Sequence, residues 1–225
     1  MRDVGRPYWE ERGSYKPADA ASARAFADPK AERIARWAAL GGGESVLDVG
    51  AGTGHLTEAF RRRGHRVVAV DASAGMLARN PAPLRVKADA ARLPFRAGVF
   101  ALAVESNLLH HVPDPVAVLR EMARVSGGNA AAIEPNRNHP PMLLFSLLLR
   151  EERAGLRFTK SHLAGLARAA GLSPIGLEVT GWVYQNRTPS FLAAFLGRRD
   201  GACPVAAYVV GLFRGGRGAG REGRE

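Results

Sequence analysis

The strongest constraint on this chain is the stretch 45–60, which reads SVLDVGAGTGHLTEAF. Apolar residues on both sides of Asp48 predict a buried strand, and three glycines, Gly50, Gly52 and Gly54, follow it at alternate positions before a helical pattern begins. Glycine is needed where the backbone takes a positive φ or passes close to a bound molecule. A helix N-terminus presents free amides to a polar ligand. The stretch therefore predicts a strand, a tight turn and a helix, with a ligand site at the turn.

The spacing of these glycines argues against a dinucleotide site. The dinucleotide pattern is G-x-G-x-x-G/A, and its third small residue lets the helix pack closely on the strand. Here that position is His55, whose imidazole is bulky. A short-chain dehydrogenase would need a tyrosine followed four positions later by lysine, and none of the four tyrosines meets that condition. The turn therefore serves a different ligand.

The segments that follow predict an α/β fold. Residues 66–70 form an apolar second strand that ends in Asp71, about twenty residues beyond Gly50, where a carboxylate can hold the two hydroxyl groups of a ribose. Helical patterns alternate with further strands, and an all-apolar strand is typical of the centre of a parallel sheet. The remaining predicted strands are 84–87, 100–104, 129–133, 173–179 and 204–213.

Five motifs in this order resemble the class I S-adenosylmethionine-dependent methyltransferases, especially the small single-domain enzymes with a V-L-D-x-G-x-G-T-G loop. The residues that carry the resemblance are 46–54, 70–77, 88–95, 108–115 and 126–136. The resemblance implies a Rossmann-like, seven-stranded, mostly parallel sheet with one antiparallel strand and helices on both faces. It also implies that S-adenosylmethionine is the cofactor.

Several residues take cofactor-binding roles by the same resemblance. Asp48 would orient the loop near the methionine moiety, Asp71 would hold the ribose, and Asp89 with the amide of Ala90 would bind the adenine. The full set that the resemblance implies is Asp48, Gly50, Ala51, Gly52, Gly54, Asp71, Ala72, Met76, Asp89, Ala90, Glu105 and Tyr15, the last from a segment that closes over the cofactor.

Four of these residues also have a structural interpretation. Asp48 is also readable as a satisfied buried carboxylate, and Asp71 as a cap of the helix that begins near Ser73. Met76 suits the core of the protein as well as an adenine ring, and Asp89 suits a turn after a short strand. The sequence leaves these alternatives open.

The candidate catalytic residues lie after the fourth and fifth predicted strands. The sulfonium of S-adenosylmethionine is already activated, so the enzyme must mainly align a nucleophile with the methyl group and exclude water. A hydroxyl or ammonium acceptor also needs a base, and His110 or His111 is the first candidate. Glu134, followed by Pro135 and Asn136, is the next. An acceptor that is already nucleophilic needs no base.

The expected acceptor is a small, partly apolar molecule with an O, N or C nucleophile. Residues 142–149 are too few to span a membrane and too apolar for an exposed helix, so we expect them to roof the acceptor cavity or to pack in the core. Methylases of base amines resemble one another in carrying an Asn/Asp/Ser-Pro-Pro-aromatic motif, and this chain lacks it. No membrane insertion is expected, and the sequence indicates no oligomeric state.

Charge supports one alternative, a tRNA or rRNA methyltransferase. The formal net charge is +11, and only four of the 32 basic residues are lysines. A charge of this size attracts phosphate. The arginines are spread along the chain without a basic stripe, which favours a compositional bias over a nucleic-acid site.

The expected organisation is one methyltransferase domain over 41–213, with a helical cap around 136–170. Residues 1–40 are predicted as an arm and helix that close over the cofactor, and 214–225 as a disordered Gly/Arg tail. The single cysteine, Cys203, excludes an intramolecular disulfide and a zinc cluster of cysteines, and no metal site is expected. Without an apolar leader at the N-terminus, we expect a cytoplasmic protein.

Overall fold

A computed structural model describes residues 15–198 and 200–215, so the first 14 residues of the predicted arm and most of the Gly/Arg tail fall outside the described residues. Its centre is a seven-stranded sheet in the order β3-β2-β1-β4-β5-β7-β6. The strands are β1 (Ser45–Val49), β2 (Arg66–Asp71), β3 (Leu84–Lys87), β4 (Leu102–Ser106), β5 (Asn129–Pro135), β6 (Leu172–Thr180) and β7 (Tyr208–Gly215). Within this sheet, β7 runs antiparallel to both of its neighbours, β5 and β6. The predicted fold class is confirmed.

Helices cover both faces of this sheet. They are α1 (Ala21–Ala38), α2 (His55–Arg61), α3 (Ala74–Ala78), α4 (Pro115–Val125), α5 (Pro140–Leu148), α6 (Lys160–Ala169) and α7 (Ser190–Gly197), with 3₁₀ segments at Leu109–His111 and Arg150–Arg157. On one face, Phe26 and Ile34 of α1 pack with Phe60 of α2. On the other, Met122 of α4 packs with Leu163 of α6. The result is the three-layer arrangement of an α/β domain.

Two central strands extend further than their sequence indicates. The predicted fourth strand, 100–104, lies at 102–106, and the fifth continues past residue 133 to Pro135. Glu105 pairs with Val49 and with Ala132 of its neighbouring strands, and Glu134 pairs with Val209. Both carboxylates therefore lie within the sheet. The prediction placed them after the strands because a charge in a buried strand is uncommon.

The sequence pattern predicts this helix only from Pro29 onward, whereas α1 begins eight residues earlier, at Ala21. Proline removes one helical hydrogen bond and normally marks a helix start. Here Phe26 and Lys30, on either side of Pro29, are both fully buried, and tertiary packing continues the helix through the proline.

The apolar run 142–149 forms most of α5, but the expectation that it is too apolar for exposure was wrong. Met142 is buried, whereas Leu144 and Leu148 are 58% and 72% exposed. Phe191 of α7 is 83% exposed, so both helices carry apolar side chains at the surface. Among the described residues, no helix has the length and apolar character needed to cross a membrane.

Candidate active site

The loop between β1 and α2 needs its glycines for conformation and for space. Gly50, Gly52 and Gly54 have φ values of 65°, 50° and 90°. A Cβ on Gly50 would lie 2.9 Å from the Leu108 side chain, and one on Gly54 would lie 2.4 Å from Pro81. The loop thus has the close packing that the sequence predicted, with Leu108 pressed against it.

Asp48 lies under this loop and is almost completely buried. The Thr57 hydroxyl donates to Asp48 Oδ2 at 2.6 Å, which links β1 to the helix after the loop. Burial raises the pKa of Asp48 to about 7, against the lowering effect of the Thr57 hydrogen bond. This geometry matches the structural alternative for Asp48, a buried carboxylate that is hydrogen-bonded within the protein. The same hydrogen bond anchors the loop from beneath.

Asp71 ties the loop to the end of β2. Its Oδ2 accepts from the amide of Gly52 at 2.9 Å, and its Oδ1 accepts from the amide of Ser73 at 2.8 Å. The Ser73 hydroxyl in turn caps α3 by accepting from the amide of Met76. Each carboxylate oxygen has a second acceptor site. Asp71 therefore stabilises the loop and retains acceptors for a diol.

The predicted adenine residues occupy the same edge. Ala72 follows β2, Met76 is buried on α3, and Asp89 is exposed in the turn that follows β3. Asp89 Oδ1 accepts from the amide of Ala91 at 2.9 Å. Asp89 therefore stabilises the turn, as its structural alternative predicts, and this bond leaves Oδ2 available to a ligand. Ala51 and Ala90, which complete the predicted set here, are partly buried.

The segment before α1 lies against the start of α2. The carbonyl oxygen of Lys16 is 3.2 Å from His55 Nε2. Lys16 Nζ donates to Ser22 Oγ at 3.0 Å and to the carbonyl of Thr188 at 2.8 Å. Tyr15, which is partly buried, is therefore held beside the helix that follows the glycine loop.

Two fully buried carboxyl groups lie side by side in the centre of the sheet. Glu105 is opposite Ala132, and Glu134 is two residues further along β5, so both side chains share one face. Glu105 Oε2 accepts from the amide of Leu108, and Glu134 Oε1 from that of Leu109. Burial and then the charge of Glu134 raise the pKa of Glu105 well above its ordinary value. Ionisation of both carboxyl groups at once is therefore unfavourable.

His110 joins this pair to the cap. Its Nδ1 is 2.5 Å from Glu134 Oε2, and its Nε2 is 3.5 Å from Glu152 Oε2. Burial alone would lower the pKa of His110, but the charges of Glu134 and Glu152 outweigh it and raise the pKa to about 9. His110 is thus a cation between two carboxylates at neutral pH. The ring of His111 is 3.9 Å from that of His110, centroid to centroid.

The structure therefore brings Glu105, His110, His111 and Glu134 together, although the sequence suggested each of them singly. It adds Glu152, which the sequence analysis missed. Glu152 lies in a charged segment of the cap with no motif around it, and only the contact of Arg150–Arg157 with Leu109–His111 places it here. Tyr15 and the adenine residues lie on the loop side of the same edge.

Residues 47–132 match the model of a family described as a methyltransferase domain. This part of the chain is similar to methyltransferase domains. The match covers most of β1, the glycine loop, β2 to β4 and most of β5, so it includes Asp48, Asp71, His110 and His111. The cofactor of these domains is S-adenosylmethionine, and the residues at the loop suit it.

Curated and solved proteins agree with this family. The chain is 36% identical over 137 residues to a demethylmenaquinone methyltransferase from Mycolicibacterium paratuberculosis, and the match covers 60% of this chain and 57% of that protein. The chain thus spans little more than half the length of that relative.

Two solved structures share the fold. One is a magnesium protoporphyrin IX methyltransferase from Synechocystis with bound S-adenosylmethionine (TM-score 0.61, 13% identity, 96% of this chain and 98% of that one). The other is a methyltransferase from Aquifex aeolicus, described as dependent on the same cofactor (TM-score 0.59, 16% identity, 87% and 93%).

Proposed function

We propose that this protein transfers a methyl group from S-adenosylmethionine to a small, partly apolar acceptor. One observation carries the proposal: the cofactor loop and the buried acid–histidine set meet through adjacent residues. Leu108 packs on Gly50, and the next residue, Leu109, donates its amide to Glu134 at 2.7 Å. A methyl group bound over the loop would therefore lie next to groups that bind and orient an acceptor.

On the cofactor side, we assign the predicted roles to the groups that retain free acceptors. Asp71 binds the ribose diol with the acceptor sites that Gly52 and Ser73 leave open. Asp89 Oδ2 and the amide of Ala90 bind the adenine edge. Since the sulfonium is already activated, these contacts serve alignment more than bond breaking.

On the acceptor side, His110 is not the base at neutral pH, because Glu134 and Glu152 keep it protonated. We infer that His110 positions Glu152, and that Glu152 or His111, both only partly buried, receives the acceptor proton. Any group in this role must lie within hydrogen-bonding distance of the acceptor hydroxyl. Glu134 acts behind them by fixing the His110 ring.

For the acceptor, we propose a hydroxylated aromatic ring with an apolar substituent. Demethylmenaquinone methyltransferases are among the relatives, and their names indicate a quinone-type acceptor. The exposed apolar side chains of α5 and α7, such as Leu148 and Phe191, suit a ligand with an apolar tail. The relatives do not favour an RNA acceptor.

Calorimetric titration with S-adenosylhomocysteine tests the cofactor assignment. We expect saturable binding to the full chain, no binding of NAD, and at least about tenfold weaker binding to Asp71→Asn, because an amide cannot accept at both positions as a carboxylate does. The matched control is Asp114→Asn, which changes the N-cap of α4 to a residue that also caps well. Equal affinity in Asp71→Asn and the unmodified protein would contradict the ribose assignment.

Transfer of labelled methyl groups tests the reaction. The full chain is incubated with S-adenosylmethionine and either a reduced hydroxynaphthoquinone or bulk tRNA. The proposal is supported if the quinol is labelled and if the rate of labelling falls by about a hundredfold or more in Glu152→Gln and His111→Ala. Label in the tRNA instead would replace the small-molecule acceptor by the RNA alternative, and cofactor binding without transfer to either would reject this acceptor class.

A further inference from the structure

We propose that His110, His111 and Glu152 form a binding site for one divalent first-row metal ion, of which Zn²⁺ is the best match. Each residue offers one ligand atom, and these atoms lie within 4.8 Å of one another. Two imidazoles and one carboxylate are an established ligand set for catalytic zinc and for other ions of this class. The sequence analysis predicted no metal site.

The orientation of His110 supports metal binding. Its Nδ1 faces Glu134 at 2.5 Å, so the hydrogen on that nitrogen is directed to a carboxylate and Nε2 faces the other ligands. A histidine that binds a metal usually donates its second ring N–H to a carboxylate or a carbonyl, which fixes the tautomer and the ring. Nε2 is 3.5 Å from Glu152 Oε2, a separation that two ligands of one ion can have.

The supporting residues are themselves fixed. Glu134 Oε1 accepts from the amide of Leu109 at 2.7 Å, which holds the carboxylate in place beside His110. The Phe158 ring packs edge-on against His110 at 5.9 Å. A ligand site with rigid outer contacts has the preorganisation that metal affinity requires.

The charges also balance. His110 lies between the carboxylates of Glu134 and Glu152, which face it from opposite sides. A divalent ion bound to neutral imidazoles would neutralise these two carboxylates in a region where unbalanced charge is costly. Three protein ligands leave at least one position for water or for an oxygen of the acceptor.

Such an ion would connect the cap to the sheet. His110 and His111 belong to the 3₁₀ segment that follows β4, whereas Glu152 comes from the 3₁₀ segment of the cap. Metal binding would therefore order the cap over the acceptor side. This inference does not depend on the cofactor, and it concerns the ion-bound protein, whereas the proton-accepting role proposed for Glu152 or His111 belongs to the protein without the ion.

The test is titration of the chelator-treated, full-length Cys203→Ser protein with Zn²⁺ and with Co²⁺. The cysteine is replaced so that its thiol does not bind either ion. We expect one ion per chain with micromolar or tighter affinity, and visible Co²⁺ absorption bands typical of nitrogen and oxygen ligands. Glu152→Gln and His111→Ala should weaken binding by at least about tenfold, and Glu134→Gln by about ten- to a hundredfold through the His110 ring.

The matched control is His162→Gln, which replaces a nearby histidine on α6 that also packs on Phe158 but lies outside the cluster. Its metal affinity should be unchanged. The proposal is overturned if neither ion binds at one per chain, or if Glu152→Gln and His111→Ala bind as tightly as the control. Thermal unfolding shows whether each variant is folded. Glu152→Gln changes a residue of the cap and leaves the His110–Glu134 pair intact. S-adenosylhomocysteine binding is measured in the same samples. A protein that binds it but does not bind the metal ion contradicts only the metal site and not the proposed function.

Discussion

Asp48 shows how one residue connects stability with the cofactor loop. It is buried in β1, and the Thr57 hydroxyl is its side-chain hydrogen-bond donor. Because the buried charge is poorly solvated, the folded protein binds a proton at Asp48 more tightly than the unfolded chain does. The pKa is about 7 in the folded protein, compared with 3.8 for a free side chain.

The pH dependence of Asp48→Asn follows from this shift. A raised pKa gives stability that is present at low pH and is lost as the pH rises from about 4 to about 7. The substituted amide has no charge to bury. The free energy of unfolding of the variant should therefore rise relative to that of the unmodified protein over this interval, by at most about 4 kcal/mol. Denaturant unfolding at a series of pH values measures the difference in free energy of unfolding.

Thr57→Val provides the companion measurement. The hydrogen bond from Thr57 lowers the pKa of Asp48 in the folded protein, so its removal should raise the upper end of this pH interval. A free-energy difference between Asp48→Asn and the unmodified protein that stays constant from pH 4 to pH 8 would show that Asp48 is ionised throughout.

At the scale of an element, the glycine loop is stabilised by its close packing against other segments. Gly54 is the first residue before α2, with φ of 90°, and Pro81 and Asn80 leave no space for a Cβ. Asn80 also donates to the carbonyl of Gly52 at 3.1 Å. The loop, α3 and the segment after it thus form one packed unit.

Gly54→Ala should destabilise this unit. We expect a loss of about 1 to 3 kcal/mol in the free energy of unfolding, from the positive φ and the contact with Pro81, together with weaker S-adenosylhomocysteine binding. The matched control is Gly165→Ala on α6, where a Cβ meets no atom within 4 Å. That change should stabilise the protein by up to about 1 kcal/mol through helix propensity. Equal effects of the two substitutions would contradict the steric argument.

The same elements show what sequence reasoning predicts and what it does not. The glycine loop and Asp71 were predictable because their chemistry is local and lies in consecutive residues. The Glu105–Glu134 pair needed the register of β4 against β5, and Glu152 needed the fold of the cap. Its neighbours in sequence give no signal, since a charged segment normally indicates a solvated surface. The exposure of α5 also depends on tertiary packing, which periodicity does not contain.

At the scale of the whole molecule, Lys16 connects three distant parts of the chain. Its amide donates to Asn186 Oδ1, its Nζ donates to the carbonyl of Thr188, and its own carbonyl lies beside His55. The segment before α1 and the segment before α7 are therefore both coupled to the start of α2.

Cofactor binding should reach both segments. Saturation with S-adenosylhomocysteine at about a hundred times its dissociation constant should raise the free energy of unfolding by about 2.7 kcal/mol. Amide hydrogen exchange should slow at residues 15–24 and 185–188 as well as in the loop, because ordering of α2 is transmitted through Lys16. Residues 172–176, at the far edge of the sheet, serve as the internal control. Protection confined to residues 50–54 would show that the N-terminal segment is not a lid.

The position of β7 has a consequence for biosynthesis. This strand follows β6 in the chain, yet it lies between β5 and β6 and supplies hydrogen bonds to both. A ribosome therefore releases residues 172–180 before the strand that pairs with them exists. Until residues 208–215 emerge, the nascent sheet has an open edge at β5, and unpaired edges promote association with other chains. Insertion of β7 then joins residues 172–180 to the sheet and covers the edge of β5 that carries Glu134.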